Sequence, residues 1–234
     1  MNYRKVCMLG IRESIYSNLL FEDRWVMMTD GLVNTIKVSL WSLLLATLMG
    51  CVLCAIQMNA RNWAKTCVKW YVEFMRGIPL LVLLLLLFYV ILADVPLSSM
   101  WIAILCFTLY FSAYFTEIFR TGIEGVNRGQ WEAGLALGLS PWRTFIKIIL
   151  PQALKRIIPV FKGQMITLVK STSIIGYVAV VDLTKAGDLI RTRTFDAFFP
   201  LLLVAAVYLL LTMILGALLN LFEKSVTPKS RKMI

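Results

Sequence analysis

Histidine is absent from this sequence of 234 residues. Its absence removes the commonest metal ligand of proteins and the side chain that most often serves as a general base near neutral pH. The sequence also has no Gly-x4-Gly-Lys-Ser/Thr segment, which is the usual loop for holding the phosphates of ATP. We therefore expect no catalytic residue, no metal site and no cofactor on this chain.

Cysteines are few, and their positions do not favour redox chemistry. Cys51 and Cys54 form the only CxxC pattern among five cysteines. The pair lies inside an apolar stretch with no acidic neighbour, so we interpret both as small packing residues rather than as a redox or metal site.

Charged residues are also scarce, at 16% of the chain against 59% apolar, where a soluble domain has about 25% charged residues. Three blocks, 38–60, 95–116 and 197–222, contain no Asp, Glu, Lys or Arg. Each is long enough to cross ~30 Å of hydrocarbon as a helix. Block 77–93 is slightly short alone, and block 157–181 is interrupted by Lys162 and Lys170. The sequence predicts an all-α membrane protein with about five transmembrane helices.

The predicted organisation is a single domain without repeats or linkers. Residues 1–29 form a lead-in that is compatible with an interfacial helix. The membrane-spanning domain, residues 30–222, has spans at about 32–58, 70–92, 97–119, 157–180 and 198–221, and a basic tail follows at 223–234. The Gly77-Ile78-Pro79 segment predicts a kink or break near the inner end of the second span.

Basic residues cluster in alternate loops between these spans. The loops 61–76 and 119–162 and the tail hold 15 Lys and Arg, whereas 1–30, 93–100 and 180–198 hold 7. Because basic residues remain on the cytoplasmic side, the amino terminus should lie outside and the carboxyl terminus in the cytoplasm. The net charge of +11 is thus explained by topology and by contact with membrane lipid, not by a nucleic-acid partner.

The predicted cytoplasmic segment 129–151 contains the most specific local pattern. Gly138 suits the left-handed residue that closes a helix, Ser140 suits an N-cap, and Pro141 suits the first helical position after it. Small residues on the preceding helix would allow a partner's backbone to approach closely. Local pattern alone leaves two interpretations open: a helix that enters a partner's groove, or an ordinary amphipathic loop helix on the membrane surface.

The spacing within this segment resembles the EAA loop of ABC importer permeases. Glu132-Ala133-Gly134, then Gly138, then Ile148-x-Leu150-Pro151 reproduce the intervals of that consensus, with Gly134 in place of the usual second alanine. A glycine inside a helix costs up to ~1 kcal/mol relative to alanine, so we expect a slightly looser helix here. The resemblance implies that the loop couples the chain to an ATPase. The residues it assigns to coupling are Gln130, Glu132, Ala133, Gly134, Gly138 and Pro151.

Other segments resemble the polar amino-acid branch of that family, the histidine, glutamine, glutamate and arginine type. They are Tyr71-x-Glu73-Phe-x-Arg76-Gly77-Ile-Pro79, Leu109-Tyr-x-x-Ala-Tyr-x-x-Glu117-x-x-Arg120, and Lys170-x-Thr172-Ser173. The resemblance implies an ABC type I importer permease in a bacterial cytoplasmic (inner) membrane. It also implies partners: a second permease (the same chain or a paralogue), cytoplasmic ABC ATPase subunits that hold ATP and Mg, an extracytoplasmic solute-binding protein and a polar amino-acid substrate.

Charges inside predicted spans supply the remaining candidates. Lys170 should face the helix bundle or a wet cavity, because an ammonium facing lipid costs at least ~2.5 kcal/mol. Either it lines the substrate path together with Ser171, Thr172 and Ser173, or it has a structural role as a hydrogen-bond donor inside the helix bundle. The three-residue spacings of Glu117 with Arg120 and of Glu73 with Arg76 predict intramembrane ion pairs at a gate.

A secondary transporter or channel would need no ATPase, and the EAA-like loop argues against it. A membrane enzyme would need a clustered nucleophile and base, which the sequence does not offer.

Overall fold

The computed structural model describes residues 13–226. Residues 1–12 of the predicted lead-in and residues 227–234 of the predicted basic tail lie outside this range. The described part is helical and contains no strand, which confirms the predicted all-α fold.

The first long helix is preceded by two short turns. A π-turn at Tyr16–Leu20 is followed by a 3-10 turn at Phe21–Asp23. Glu22 and Asp23 both have positive φ, 54° and 50°, a conformation that ordinary L residues rarely adopt. Helix α1 then runs from Arg24 to Asn59 and includes the whole segment predicted as span one.

The segment predicted as span two is divided between two helices. Helix α2 covers Asn62–Gly77 and helix α3 covers Leu80–Leu86, extended by a π-turn at Leu87–Ile91. The two meet at a bend of 104°. Pro79 lacks an N–H and constrains the residue before it, so a helix cannot continue unbroken through this point.

Four more helices and a short hairpin complete the chain. Helix α4 is Ser99–Glu124, α5 is Arg128–Ala136 and α6 is Pro141–Thr144. A π-turn at Phe145–Ile149 leads into α7, Leu150–Ser171, which continues as a 3-10 turn at Thr172–Val178. Helices α8, Leu183–Thr194, and α9, Phe198–Val226, follow. Helix α8 lies inside the loop predicted at 180–198, where no helix was expected.

Length and apolar composition allow three described helices to cross a membrane, or five if each bent pair forms one span. The three are Glu13–Asn59, Ser99–Glu124 and Phe198–Leu221, and the second bent pair is Pro141–Val178 with Leu183–Thr194. The predicted five spans equal the upper limit of this range.

The chain forms two compact units. Of the described residues, the first comprises 13–41, 81–104 and 169–213, and the second comprises 42–80, 105–168 and 214–226. The core of the first unit is built where Met28 meets Leu183, Ala186 and Ile190 of α8 and Val204 of α9. In the second unit, Phe107, Phe111 and Phe115 of α4 are fully buried, and Phe115 packs edge-on against Phe161 at 4.7 Å between ring centroids.

Candidate functional site

The segment that resembles the EAA loop folds as a helical hairpin, α5–turn–α6, within the second unit. At its start, the side chain of Asn127 accepts a hydrogen bond from the N–H of Gly129 at 2.8 Å. This is an N-cap, which satisfies one of the free N–H groups at the beginning of α5.

The turn after α5 is closed by Gly138. Gly138 has φ +75°, its N–H donates to the carbonyl of Leu135, and the N–H of Leu139 donates to that of Gly134. These two bonds form a Schellman motif, in which a left-handed residue, usually glycine, satisfies the last carbonyls of a helix. The left-handed conformation predicted for Gly138 is confirmed.

The second arm begins as the sequence predicts. Ser140 is the N-cap of α6 and accepts from the N–H of Arg143, and Pro141 takes the first helical position. Pro151 stands in the first turn of α7 and is exposed. The hairpin therefore has defined caps at both of its helix starts and at its bend.

The sequence predicts that the small residues of α5 lie on its exposed face. Gly134 does not lie on this face. It is buried, and a Cβ at this position would lie 2.5 Å from Cγ2 of Thr144. The glycine therefore allows the two arms to approach closely, and it packs the hairpin tightly instead of loosening it. Ala133 and Ala136 are exposed, so these two remain available to a partner.

Aromatic residues hold the two arms together. Trp131 of α5 stacks on Phe145 at 6.2 Å between centroids, and Trp142 stacks on the same ring at 5.9 Å. The inner side of this group joins a core with Ile149 of the π-turn and Ala153 of α7.

The outer face of the hairpin carries large apolar side chains that the sequence analysis missed. Leu137 is 78% exposed, Trp142 70% and Leu135 48%. The only sequence signal was the presence of apolar residues in a segment otherwise rich in turn formers. Glu132 is exposed beside them.

A side-chain hydrogen bond joins the two ends of the segment. The amide of Gln152, in α7, donates to the side-chain oxygen of Gln130 at 3.1 Å. A second link lies nearby, where the guanidinium of Arg156 donates to the carbonyl of Gly125. Helix α7 is thus bonded to the first turn of α5 and to the turn that precedes α5.

Of the two candidate ion pairs, the structure forms Glu117 with Arg120 but not Glu73 with Arg76. Arg120 bonds both carboxylate oxygens of Glu117, at 2.6 and 3.1 Å, and also reaches Glu124. Glu73 pairs with Lys69 at 3.8 Å, whereas the guanidinium of Arg76 lies over the ring of Tyr114, 5.4 Å from its centroid. Glu73 and Arg76 therefore have different partners. Glu73 meets the opposite charge of Lys69, and Arg76 meets the aromatic face of Tyr114.

The candidate path residues lie at the end of α7. Lys170 is exposed in the single chain, and no hydrogen-bond or ion-pair partner reaches it within residues 13–226. Thr172 is buried and donates to the carbonyl of Val169 at 2.7 Å. Ser171 and Ser173 are half-buried. The four residues are adjacent in sequence, but the structure turns Thr172 inward while Lys170 points away from its own chain.

A charged cavity lies farther along the first unit. Its volume is about 400 Å³, and its lining includes Ser173, Lys185, Asp188 and Arg191. Asp188 bridges Arg191 at 2.6 Å and Lys185 at 3.5 Å.

Comparison with known proteins agrees with these features. Residues 42–228 match the family model described as binding-protein-dependent transport system inner membrane component. A probable glutamine ABC transporter permease of Bacillus subtilis is 35% identical over 88% of this chain and 96% of its own length. A probable amino-acid ABC transporter permease of Sinorhizobium fredii is 30% identical over 84% and 86%. In the crystal structure of an amino acid ABC transporter with histidines, a chain 30% identical superposes with a TM-score of 0.80, covering 88% of this chain and 96% of that one.

These relatives are permease subunits of ABC transporters and not enzymes. The family match covers more than three quarters of the sequence and includes the whole hairpin. This chain is a multi-pass membrane protein that belongs to the family of binding-protein-dependent transport system inner membrane components.

Proposed function

We propose that this chain is the permease subunit of an ATP-binding-cassette importer that moves polar amino acids into a bacterial cell by alternating access. In this proposal, separate ATPase subunits bind ATP and Mg, and a solute-binding protein delivers the amino acid from outside. The similarity to permeases named for glutamine and other amino acids supports the substrate class.

The hairpin is the proposed contact with the ATPase. Its outer face offers Glu132, Ala133 and Ala136, flanked by the apolar side chains of Leu137 and Trp142. Small residues allow close backbone approach, and exposed Leu and Trp side chains are well suited to fill a partner's groove, since aromatic anchors contribute strongly to interfaces. One face of Trp142 packs on Phe145 within the hairpin, and the rest of its ring, like the side chain of Leu137, remains exposed.

The proposed transmission runs from the hairpin into α7. The Schellman turn, the stacked aromatic rings and the Gln130–Gln152 bond make the hairpin a stiff unit. Closure of the ATPases would then move the hairpin as one body and tilt the helix that follows it, in the manner of rigid-body switching.

The proposed orientation places the amino terminus outside and the hairpin in the cytoplasm of a bacterial inner membrane. Its support is the excess of Lys and Arg in 61–76, 119–162 and the tail, because the positive-inside rule counts basic residues in short loops.

Lys170 is the proposed charge on the substrate path. An exposed ammonium on an apolar helix must face a second permease or a wet cavity rather than lipid, because burial in hydrocarbon is costly. A water-filled path between two permeases satisfies this requirement and places the lysine where a substrate carboxylate would pass. Glu117 and Arg120, half-buried and mutually bonded, are proposed to hold the inner gate.

The single observation that carries the proposal is the capped hairpin with its exposed apolar face. The test is co-purification of the ATPase with the permease, measured together with uptake of labelled amino acid. Leu137→Asp should reduce both, while Leu97→Asp, an equally polar change at an exposed leucine in the turn before α4, should leave ATPase binding intact. Uptake that continues without any ATPase would replace the proposal with a secondary transporter.

A further inference from the structure

Helix α2, Asn62–Gly77, presents a second apolar face that the other described residues, 13–226, do not cover. Trp63 is 70% exposed, Trp70 68% and Phe74 58%, and Cys67 between them is also exposed. The intervals of four, three and four residues place all four side chains on one stripe of the helix. We call these four residues the aromatic stripe.

The opposite face of α2 is already occupied within the second unit. Val68 and Val72 are buried and pack with Ala113 of α4, beside Leu53 and Ile56 of α1. These contacts fix the rotation of α2 about its axis. The aromatic stripe is therefore held outward by packing on the other side.

The hydroxyl of Tyr71 adds a polar tie to α4. It donates to the carbonyl of Leu109 at 2.7 Å and lies 2.8 Å from the hydroxyl of Ser112. The outward position of the stripe is consequently a fixed property of the fold and not a chance rotamer.

A third face of α2 is basic. Lys65, Lys69 and Arg76 lie on it with a single acid, Glu73, and Arg61 stands at the N-cap. Glu73 pairs with Lys69 at 3.8 Å, with both side chains more than half exposed. The face retains an excess of positive charge directly beside the aromatic stripe.

A helix with these three faces does not suit the hydrocarbon core. Its charged residues run from one end of α2 to the other, so crossing the bilayer would bury several of them in lipid. The bend of 104° before α3 permits α2 to lie along the membrane while the apolar α3 enters it. Trp residues with basic neighbours are typical of helices at the membrane–water interface.

We propose that α2 is an interfacial helix whose aromatic stripe is seated among the acyl chains just below the headgroups, and whose basic face binds anionic phospholipid. The leaflet is the inner one if the proposed orientation of the permease is right, and only this detail rests on the proposed function. Charge complementarity favours a lipid over a protein as the occupant: the basic face and the stripe are adjacent, as headgroup and acyl chain are in a phospholipid.

An interfacial position of α2 would fix the depth in the membrane of the inner end of α1 and of the start of α3. Because α2 is tied to α4 through Tyr71, anionic lipid would also stabilise the position of α4. The lipid contact would thus set a fixed level in the membrane for the helices around the inner end of the permease.

The first experiment measures the depth of the stripe in the assembled complex, reconstituted in vesicles of phosphatidylcholine and phosphatidylglycerol. The other cysteines are replaced, a nitroxide is attached to Cys67, and its accessibility to oxygen and to a water-soluble nickel chelate is compared. The Cys67 label should favour oxygen, whereas a label at Lys69→Cys, on the basic face, should favour the nickel chelate. Protection of the Cys67 label from both reagents would indicate a protein neighbour. Preference for the nickel chelate would indicate exposure to water. Either result would overturn the proposal.

The second experiment measures lipid selectivity, which does not depend on transport. The association of spin-labelled phosphatidylglycerol with the complex is compared with that of spin-labelled phosphatidylcholine. The double variant Arg61→Gln with Lys69→Gln should lower the preference for the anionic lipid by about two- to five-fold, since each basic residue near the surface attracts anionic lipid. The control Lys147→Gln, at an exposed lysine of the π-turn before α7, should leave the preference unchanged. An equal loss in variant and control would overturn the assignment of the site to α2.

Discussion

The side-chain amide of Gln152 donates to the side-chain oxygen of Gln130 at 3.1 Å and to the carbonyl of Ile148 at 3.0 Å. One glutamine of α7 therefore bonds both the first turn of α5 and the π-turn that follows the hairpin. The two glutamines are 22 residues apart in the sequence, and nothing in their local pattern pairs them.

Removal of this link should weaken coupling without preventing assembly. Gln152→Leu keeps most of the side-chain volume but loses both hydrogen bonds, each worth ~0.5–1.5 kcal/mol net. The bond to Ile148 is local to its own helix, so coupling depends on the single bond to Gln130, and transport per ATP hydrolysed should fall about two- to ten-fold. Gln164→Leu, elsewhere in α7, is the control. If Gln130→Leu and Gln152→Leu act through one bond, the double variant should be no worse than Gln152→Leu alone, and additive losses would contradict the link.

Gly138→Val should distort the bend of the hairpin. A β-branched residue at φ +75° costs ~1–3 kcal/mol, and relief of this strain would break the Schellman bonds. Co-purification of the ATPase and amino-acid uptake should both decrease, while the permease still inserts. Gly138→Asn, which tolerates the left-handed region, should retain most of the activity. Equal behaviour of the two variants would show that the conformation of Gly138 does not matter for coupling.

Lys170→Met removes the charge while keeping much of the side-chain length. If Lys170 lines the path, uptake should fall at least about ten-fold while the complex assembles normally, because a charged contact contributes about 1.5–3 kcal/mol. Lys37→Met, at another exposed lysine in an apolar helix, is the matched control. Loss of assembly would assign Lys170 to a structural role instead.

Orientation can be tested by labelling with an impermeant thiol reagent on intact cells, in a background without cysteine. Single cysteines at Ser98 and Thr192, both exposed, should react, and one at Arg128 should not. The reverse labelling pattern would invert the proposed topology.

Asp196 connects the lead-in to the start of α9 and provides a pH-dependent prediction. Burial opposes its ionisation, but hydrogen bonds from Asn18, Ser14 and the N–H groups of Phe198 and Phe199 outweigh burial, so the pKa of Asp196 is lowered. The stabilisation is fully present above the unfolded-state pKa of ~3.9 and is lost as the pH falls through the lower pKa of the folded state.

The measurement is proteolysis of the lead-in. Asp196→Ala also removes an N-cap, worth ~1 kcal/mol, and should expose the segment around Ser14 to cleavage at neutral pH. Wild type should show the same cleavage only below pH ~3.9. Asp94→Ala, an exposed aspartate in the turn before α4, is the control, and equal cleavage of both variants would contradict the role of Asp196.

The sequence by itself determined the membrane-spanning, all-helical nature of the chain and the local structure of the hairpin. Long runs without charge can be stable only in hydrocarbon or a large core, and caps such as Ser140-Pro141 and the glycine at 138 act on their immediate neighbours. Such local rules need no knowledge of the rest of the fold.

Tertiary structure decided which faces and partners are used. The sequence could not show that Gly134 faces Thr144, that Glu73 pairs with Lys69, or that Gln130 meets Gln152. Nor did hydropathy show helix α8, because its charges and short length resemble a solvated loop, although Asp182 caps its first turn. Some of these features need segments that are distant in sequence to approach each other, and others depend on which of several nearby charges a side chain meets. The packing of the helices decides which groups come within bonding distance.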